Sequence, residues 1–173
     1  MNRSETETIA ELHRQAFGPE EGPEIARLAT AFLAQPDTVS VSVQRGGTLA
    51  GNVLFTPLVF QDHPDAACYL LAPCGVLPGY QGQGIGKELM ETGIAQLKSR
   101  GADAVFVLGV PGFYPRYGFA PTDKQTPYPD LLTLPESWMA LELTPGALPP
   151  LSGRTIAVAP FMRPEFWDTS AYG

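Results

Sequence analysis

The sequence predicts a single α/β domain in which helices flank a mixed, mostly antiparallel sheet. Three observations support this fold class. Apolar residues recur at helical spacing over residues 6–33, alternate with polar residues over 39–60, and then form a strand, glycine-rich turn, helix and strand over 68–110. Because 173 residues suit one hydrophobic core, we expect residues 1–173 to form one domain.

The composition excludes several classes of protein. With 44% hydrophobic and 17% charged residues, the chain is neither disordered nor a coiled coil. It has no apolar run long enough to span a bilayer and no signal-peptide pattern, which favours a cytoplasmic protein away from membranes. Eleven basic against eighteen acidic residues give a net charge of −7, which argues against nucleic-acid partners. Two cysteines, Cys68 and Cys74, fit a reducing compartment.

Two helices are predicted in the first forty residues. Apolar positions recur at helical spacing over residues 6–17 and again over 25–33. Gly18 and Pro19 are expected to end the first helix, and the second is expected to follow Pro23, because proline is tolerated at the start of a helix and disrupts its interior. We therefore expect a short turn over residues 18–22.

The following segments are predicted as strands. Residues 39–43 alternate between valine and serine, and a glycine turn then leads into a returning strand over 49–60, which together indicate a hairpin. Residues 68–77 are nearly all apolar, as expected for a strand buried on both faces. Pro73 lies within this segment and suggests a bulge or a splayed edge, because proline cannot donate to a ladder.

A glycine-rich turn connects this strand to a helix that ends near Arg100, and residues 104–110 form the next apolar strand. A strand, helix and strand in this order make the two strands parallel neighbours. Further strands are expected at 138–143 and 155–159.

The glycine-rich turn contains residues 81–86, Gln-Gly-Gln-Gly-Ile-Gly. A P-loop is excluded because residue 81 is not glycine and Glu88 supplies no hydroxyl. A dinucleotide fingerprint is also excluded, because Lys87 or Leu89 would stand where its last glycine belongs. The remaining pattern is Q-x-x-G-x-G at the start of a helix.

This pattern suits a pyrophosphate. The first backbone N–H groups of a helix have no partners within it, and the helix dipole places positive charge there. Glycines allow an anion to come close to those groups. Three glycines are equally compatible with a tight turn that binds nothing.

The segment Leu-Leu-Ala-Pro-Cys-Gly-Val-Leu-Pro-Gly-Tyr followed by Gln-Gly-Gln-Gly-Ile-Gly-Lys resembles the acetyl-CoA motif of the GNAT N-acetyltransferase superfamily. Residues 105–119 are similar to the next strand of that family and its Tyr-x-x-x-Gly-Phe signature, which begins here at Tyr114. The resemblance extends over about residues 6–120, with the motifs in 68–119, and 120–173 hold C-terminal strands and a tail. It is nearest to the small bacterial predicted N-acetyltransferases.

The resemblance implies a GNAT-like fold whose parallel strands splay apart. The family usually opens with a strand, but only a short polar segment precedes the first helix here, so that strand is expected to be missing. The open sheet edge would favour pairing with another chain, as in a homodimer.

The resemblance also implies roles for particular residues. The backbone of Cys74, Gly75 and Val76 would pair with the pantetheine arm of acetyl-CoA. The pyrophosphate would lie on a cradle made of Gln81, Gly82, Gln83, Gly84, Ile85, Gly86 and Lys87. Tyr114 would protonate the leaving thiolate, since a phenol with an ordinary pKa of about 10 carries its proton at neutral pH. An ordinary packed aromatic ring is the alternative for Tyr114.

These roles predict a cytoplasmic enzyme that transfers an acetyl group from acetyl-CoA to a primary amine, which attacks the thioester directly. A small-molecule acceptor is expected. The alternative is a CoA-binding domain of the same fold without catalysis. Cys74 suits packing better than nucleophilic attack. No ligand spacing predicts a metal, and the general base is left open among five residues: Glu20, Glu21, Asp62, His63 and Asp65.

Overall fold

The computed structural model of the chain describes residues 2–172. Its helices and strands are, in order, α1 (Arg3–Leu33), β1 (Val39–Arg45), β2 (Thr48–Phe60), β3 (Cys68–Val76), α2 (Ile85–Ser99), β4 (Ala104–Leu108), β5 (Ala120–Pro121), β6 (Trp138–Glu142) and β7 (Thr155–Ala157). The strand order is β1-β2-β3-β4-β6-β5, with β7 paired to β2. Within the described residues α1 is the first element, as the sequence predicts. No helix there is long and apolar enough to cross a membrane.

The residues group into two compact units. The first contains Met1–Thr56 and Ala72–Gln96, and the second contains Pro57–Leu71 and Leu97–Gly173. Strands β2 and β3 each contribute residues to both units.

The first unit is a hairpin with a helix on each face. Strands β1 and β2 pair antiparallel from Val39 opposite Phe55 to Arg45 opposite Thr48, as the alternating pattern predicts. Helix α2 lies so close to β2 that a Cβ added at Gly51 would stand 2.5 Å from the Cγ2 of Ile85. A Cβ at Gly93 would likewise stand 2.7 Å from the Phe55 ring. Small residues on both elements therefore set the separation of α2 from the hairpin.

Helix α1 consists of two helical halves that meet at a kink, and Gly18 ends the first half as the sequence predicts. Gly18, with φ 85° and ψ 178°, is non-helical, and the chain on both sides of it is helical. The predicted turn over 18–22 and helix start after Pro23 were therefore wrong, because the second half begins directly after Gly18, with Pro19 at its first position, and continues through Pro23. Gly22 then lies directly against the backbone carbonyl of Arg14.

The second unit is built on β4, which pairs with β6 antiparallel along its whole length. Its core is a cluster of aromatic rings. Phe106 stacks on Trp138 at a centroid distance of 5.4 Å, and Trp138 meets Trp167 edge-on at 5.7 Å. The indole N–H of Trp167 donates to the carbonyl of Phe161, which satisfies its buried polar atom. Trp167 thus completes this core.

The predicted parallel pair is β3 and β4, and their ladder is short. It extends from Cys68 opposite Ala104 to Leu70 opposite Phe106, although β3 continues to Val76 and β4 to Leu108. This is the expected splay, and the ladder ends before Pro73. The predicted strands at 104–110, 138–143 and 155–159 are two, one and two residues shorter in the structure, and β5 was not predicted.

The contact between the two halves of α1 predicts a stability defect. Changing Gly22 to Ala places a methyl group against the carbonyl of Arg14, and overpacking of this kind should lower the free energy of unfolding by about 1–3 kcal/mol. Urea unfolding measures this effect. Gly79→Ala is the matched control, because no atom lies within 4 Å of a Cβ there. Equal stability of the two variants would contradict the close approach.

Candidate functional site

The glycine-rich turn presents unpaired backbone N–H groups. Gly82 and Gly84 have φ of 80° and 78°, in the left-handed region that favours glycine. The first backbone bond of α2 runs from the N–H of Glu88 to the carbonyl of Gly84 at 3.1 Å. Within residues 2–172, no protein acceptor pairs with the N–H groups of residues 84–87. These four donors are the ones that every helix leaves without internal partners.

The turn is open toward solvent. Residues 81–84 are exposed, and a Cβ built at Gly82 or Gly84 would have no atom within 4 Å. The side chain of Lys87 extends from the first turn of α2, and its Nζ lies 3.8 Å from the Glu91 carboxylate. Free N–H groups and the helix dipole together fit the two negative phosphates of a pyrophosphate.

The end of β3 lies in the same unit as this turn. The N–H of Leu77 donates to the carbonyl of Ala50 at 2.9 Å and anchors the strand end on β2. Gly75 is buried, while Cys74 and Val76 are partly buried. Burial raises the pKa of the Cys74 thiol to about 12, so it remains protonated at neutral pH and is a poor nucleophile.

A buried polar pair lies beside Gly75 and was missed in the sequence. His13 is fully buried, and its Nε2 lies 2.8 Å from the Oδ1 of Asn52. Loss of hydration lowers the pKa of His13 from 6.5 to about 4. An asparagine in the middle of the apolar strand 49–60 was the available signal, because a buried amide needs hydrogen-bond partners.

Tyr114 belongs to the second unit, where it follows β4. Its ring packs closely on Gly109, since a Cβ there would stand 2.5 Å from the ring Cε2. Phe113 meets the ring edge-on at 5.1 Å and Phe119 at 5.7 Å. The ring is partly buried, so packing fixes its orientation.

None of the five candidate general bases is fully buried. The four carboxylates among the candidate bases are exposed, and His63 is partly buried. Among the described residues, no group of three or more His, Cys, Asp or Glu side chains could hold a metal ion.

Comparison with known proteins identifies the family to which the chain belongs. The model of the Acetyltransferase (GNAT) family matches residues 6–119, so the chain belongs to the GNAT family of acetyltransferases. It is an N-acetyltransferase of that family.

Two curated relatives come from Escherichia coli. The uncharacterized N-acetyltransferase YjhQ of strain K12 is 36% identical over 149 residues, which cover 83% of this chain and 82% of YjhQ. The uncharacterized N-acetyltransferase YhbS of the same strain is 35% identical over 79 residues, which cover 46% of this chain and 47% of YhbS.

Solved structures confirm the fold. A GNAT acetyltransferase from Brucella melitensis, in complex with acetyl-CoA, has a TM-score of 0.72 and 26% identity, with 93% of this chain and 94% of that chain covered. YhbS from Escherichia coli, in complex with CoA, has a TM-score of 0.79 at 23% identity, with 94% and 89% covered.

The burial of neutral His13 predicts a pH dependence of stability. Its folded pKa of about 4 is below its ordinary value of 6.5, so the unfolded chain binds more protons between these values. The contribution of neutral His13 to the free energy of unfolding is therefore complete above about pH 6.5, and the free energy of unfolding should fall by about 3 kcal/mol as the pH approaches 4. Urea unfolding of wild type and His13→Gln across this range isolates the effect. A constant difference in free energy between the two proteins would contradict it.

Proposed function

We propose that this chain transfers the acetyl group of acetyl-CoA to a primary amine of a small molecule. The observation that carries the proposal is the set of four unpaired N–H groups at the start of α2, which lie in an open glycine turn. A helix start of this kind is suited to a diphosphate, which acetyl-CoA contains.

The cofactor residues are proposed as follows. The N–H groups of Gly84, Ile85, Gly86 and Lys87 would hold the pyrophosphate, with Gln81, Gly82 and Gln83 forming the approach. The backbone of Cys74, Gly75 and Val76 would pair with the amides of the pantetheine arm, as an added peptide strand pairs with a sheet edge. The short β3–β4 ladder supports this, because it ends at Leu70, before these residues.

The chemistry requires a polarised thioester and a protonated leaving group. When bound, acetyl-CoA supplies the thioester. A backbone N–H near Val76 would stabilise the negative charge that develops on its carbonyl oxygen as the amine attacks. Tyr114 would donate its hydroxyl proton to the departing sulfur. The raised pKa of the Cys74 thiol argues against an acetyl-cysteine intermediate and supports direct attack by the amine.

The cradle is tested by Gly84→Asp, which places a carboxylate where a phosphate would lie. We expect the Kd for acetyl-CoA to rise about 100-fold, because like charges repel and the N–H groups become obstructed. Isothermal titration calorimetry measures this. Gly146→Asp is the control, since Gly146 has a similar φ of 82° and also has no atom within 4 Å of a Cβ. Unchanged affinity of Gly84→Asp would show that the cradle is misplaced.

Tyr114 is tested by Tyr114→Phe, which removes only the hydroxyl group. We expect kcat to fall about 100-fold while acetyl-CoA binding is retained, as is typical for loss of a general acid. Release of the CoA thiol with a panel of small amines provides the assay. Tyr117→Phe is the matched control on the same short helical turn. Equal turnover of wild type and Tyr114→Phe would remove Tyr114 from the mechanism, and binding without turnover by the wild type would favour a non-catalytic CoA-binding domain.

A further inference from the structure

Strand β1 forms an edge of the sheet. It comes first in the strand order, and among residues 2–172 it pairs with no strand other than β2. Asn52 of β2 donates to the carbonyl of Val41 at 3.1 Å, so Val41 turns this carbonyl toward β2. Because neighbouring residues of a strand turn their N–H and C=O groups in opposite directions, those of Ser40 and Ser42 point to the open side. Among the turns and loops that the structure describes, no backbone group bonds to them.

This edge lacks the usual protection against pairing with another strand. Edge strands normally carry a lysine, a proline or a bulge. Residues 38–44, Thr-Val-Ser-Val-Ser-Val-Gln, contain no charged residue and no proline. The bulge in the hairpin leaves Ala50 of β2 without an opposite residue, so β1 itself stays regular. Residues 38–44 therefore present a regular, uncharged edge.

The sequence of this edge is complementary to itself. When two copies pair antiparallel with Val41 opposite Val41, Asp37 comes opposite Arg45, because the two lie equally far before and after Val41. The uncharged segment is thus bounded by an acid at one end and a base at the other. Asp37 is exposed and has no ion pair among the described residues.

Arg45 has donors left for a second carboxylate. Its guanidinium group donates to the carboxylate of Glu88 at 2.8 Å and to the carbonyl of Gln44 at 3.0 Å. A guanidinium group carries five N–H donors, so others stay available. The side chain of Arg45 is 38% exposed, so a carboxylate from outside the chain can reach it.

We propose that this protein forms a dimer in which the β1 strands of two copies pair antiparallel about a twofold axis at Val41. Ser40 of each copy exchanges backbone hydrogen bonds with Ser42 of the other copy, and Asp37 of each copy pairs with Arg45 of the other. Both copies use the same surface, so each contact occurs twice and the assembly closes at two chains. This gives the homodimer that the sequence predicts a defined interface, which does not depend on acetyl-CoA binding.

Two charge reversals test the register. Asp37→Lys and Arg45→Glu each place like charges at both ends of the interface, so the Kd of either variant for itself should rise about tenfold or more. An equimolar mixture of the two variants restores opposite charges at both ends, so heterodimers should form with nearly the affinity of the wild type. Sedimentation velocity at low ionic strength measures this, because salt screens exposed pairs. Asp123→Lys is the control, since it makes the same charge change at a side chain that is 96% exposed.

A disulfide gives a second measurement that does not depend on charge. A residue on the twofold axis comes opposite itself, so Val41→Cys should form a disulfide between copies under mild oxidation. Val43→Cys is the matched control, because Val43 comes opposite Val39 in this register. Both valines are buried, and cysteine is a small apolar replacement. A non-reducing gel reads the result, with the wild type and its native Cys68 and Cys74 as the blank.

The outcomes are distinguishable. A wild type that stays monomeric up to about 100 μM would overturn the proposal. A dimer that neither charge reversal weakens would also overturn it, because its interface would lie elsewhere. Weakened dimers in both variants without recovery in their mixture, or cross-linking of Val43→Cys in place of Val41→Cys, would exclude this register and the proposal with it. Recovery in the mixture together with cross-linking of Val41→Cys would support it.

Discussion

The N–H groups at the start of α2 have no hydrogen-bond acceptor within the helix, and packing in the first unit fixes the position of these groups. The separation of α2 from the hairpin is set by Gly51 against Ile85 and by Gly93 against Phe55. Close packing holds the helix start in one place relative to the end of β3, where Leu77 bonds to Ala50. A rigid set of donors loses little conformational entropy when an anion binds, so the packing of the core and the affinity of the site are linked.

Local patterns in the sequence were sufficient for most of the fold. The valine and serine alternation predicted β1, and the succession of strand, glycine turn and helix predicted the parallel pair β3 and β4. The four unpaired donors at residues 84–87 follow from the helix start alone, because every helix has them. These features depend on residues close together in sequence, where spacing and turn chemistry are decisive.

The features that were missed depend on contacts between distant residues. The kink of α1 at Gly18 places Gly22 against Arg14. The break in the apolar spacing at Gly18 was interpreted as a turn over residues 18–22, although only Gly18 leaves the helical conformation. His13 bonds to Asn52, which lies thirty-nine positions later. A histidine beside an apolar stripe and an asparagine inside an apolar strand are each unremarkable alone, and only folding makes them partners.

The charge of the chain constrains how an anionic cofactor can bind. A net charge of −7 repels anions at long range, so affinity cannot arise from the overall field of the protein. The cations near the start of α2 are also matched by carboxylates, since Arg45 lies 2.8 Å from Glu88 and Lys87 lies 3.8 Å from Glu91. These exposed pairs contribute little net positive potential. The backbone N–H groups and the helix dipole act over one turn of helix, where the distant acidic residues are screened by salt. At the proposed site, recognition of a diphosphate by this acidic chain would therefore depend on the local geometry of the glycine turn.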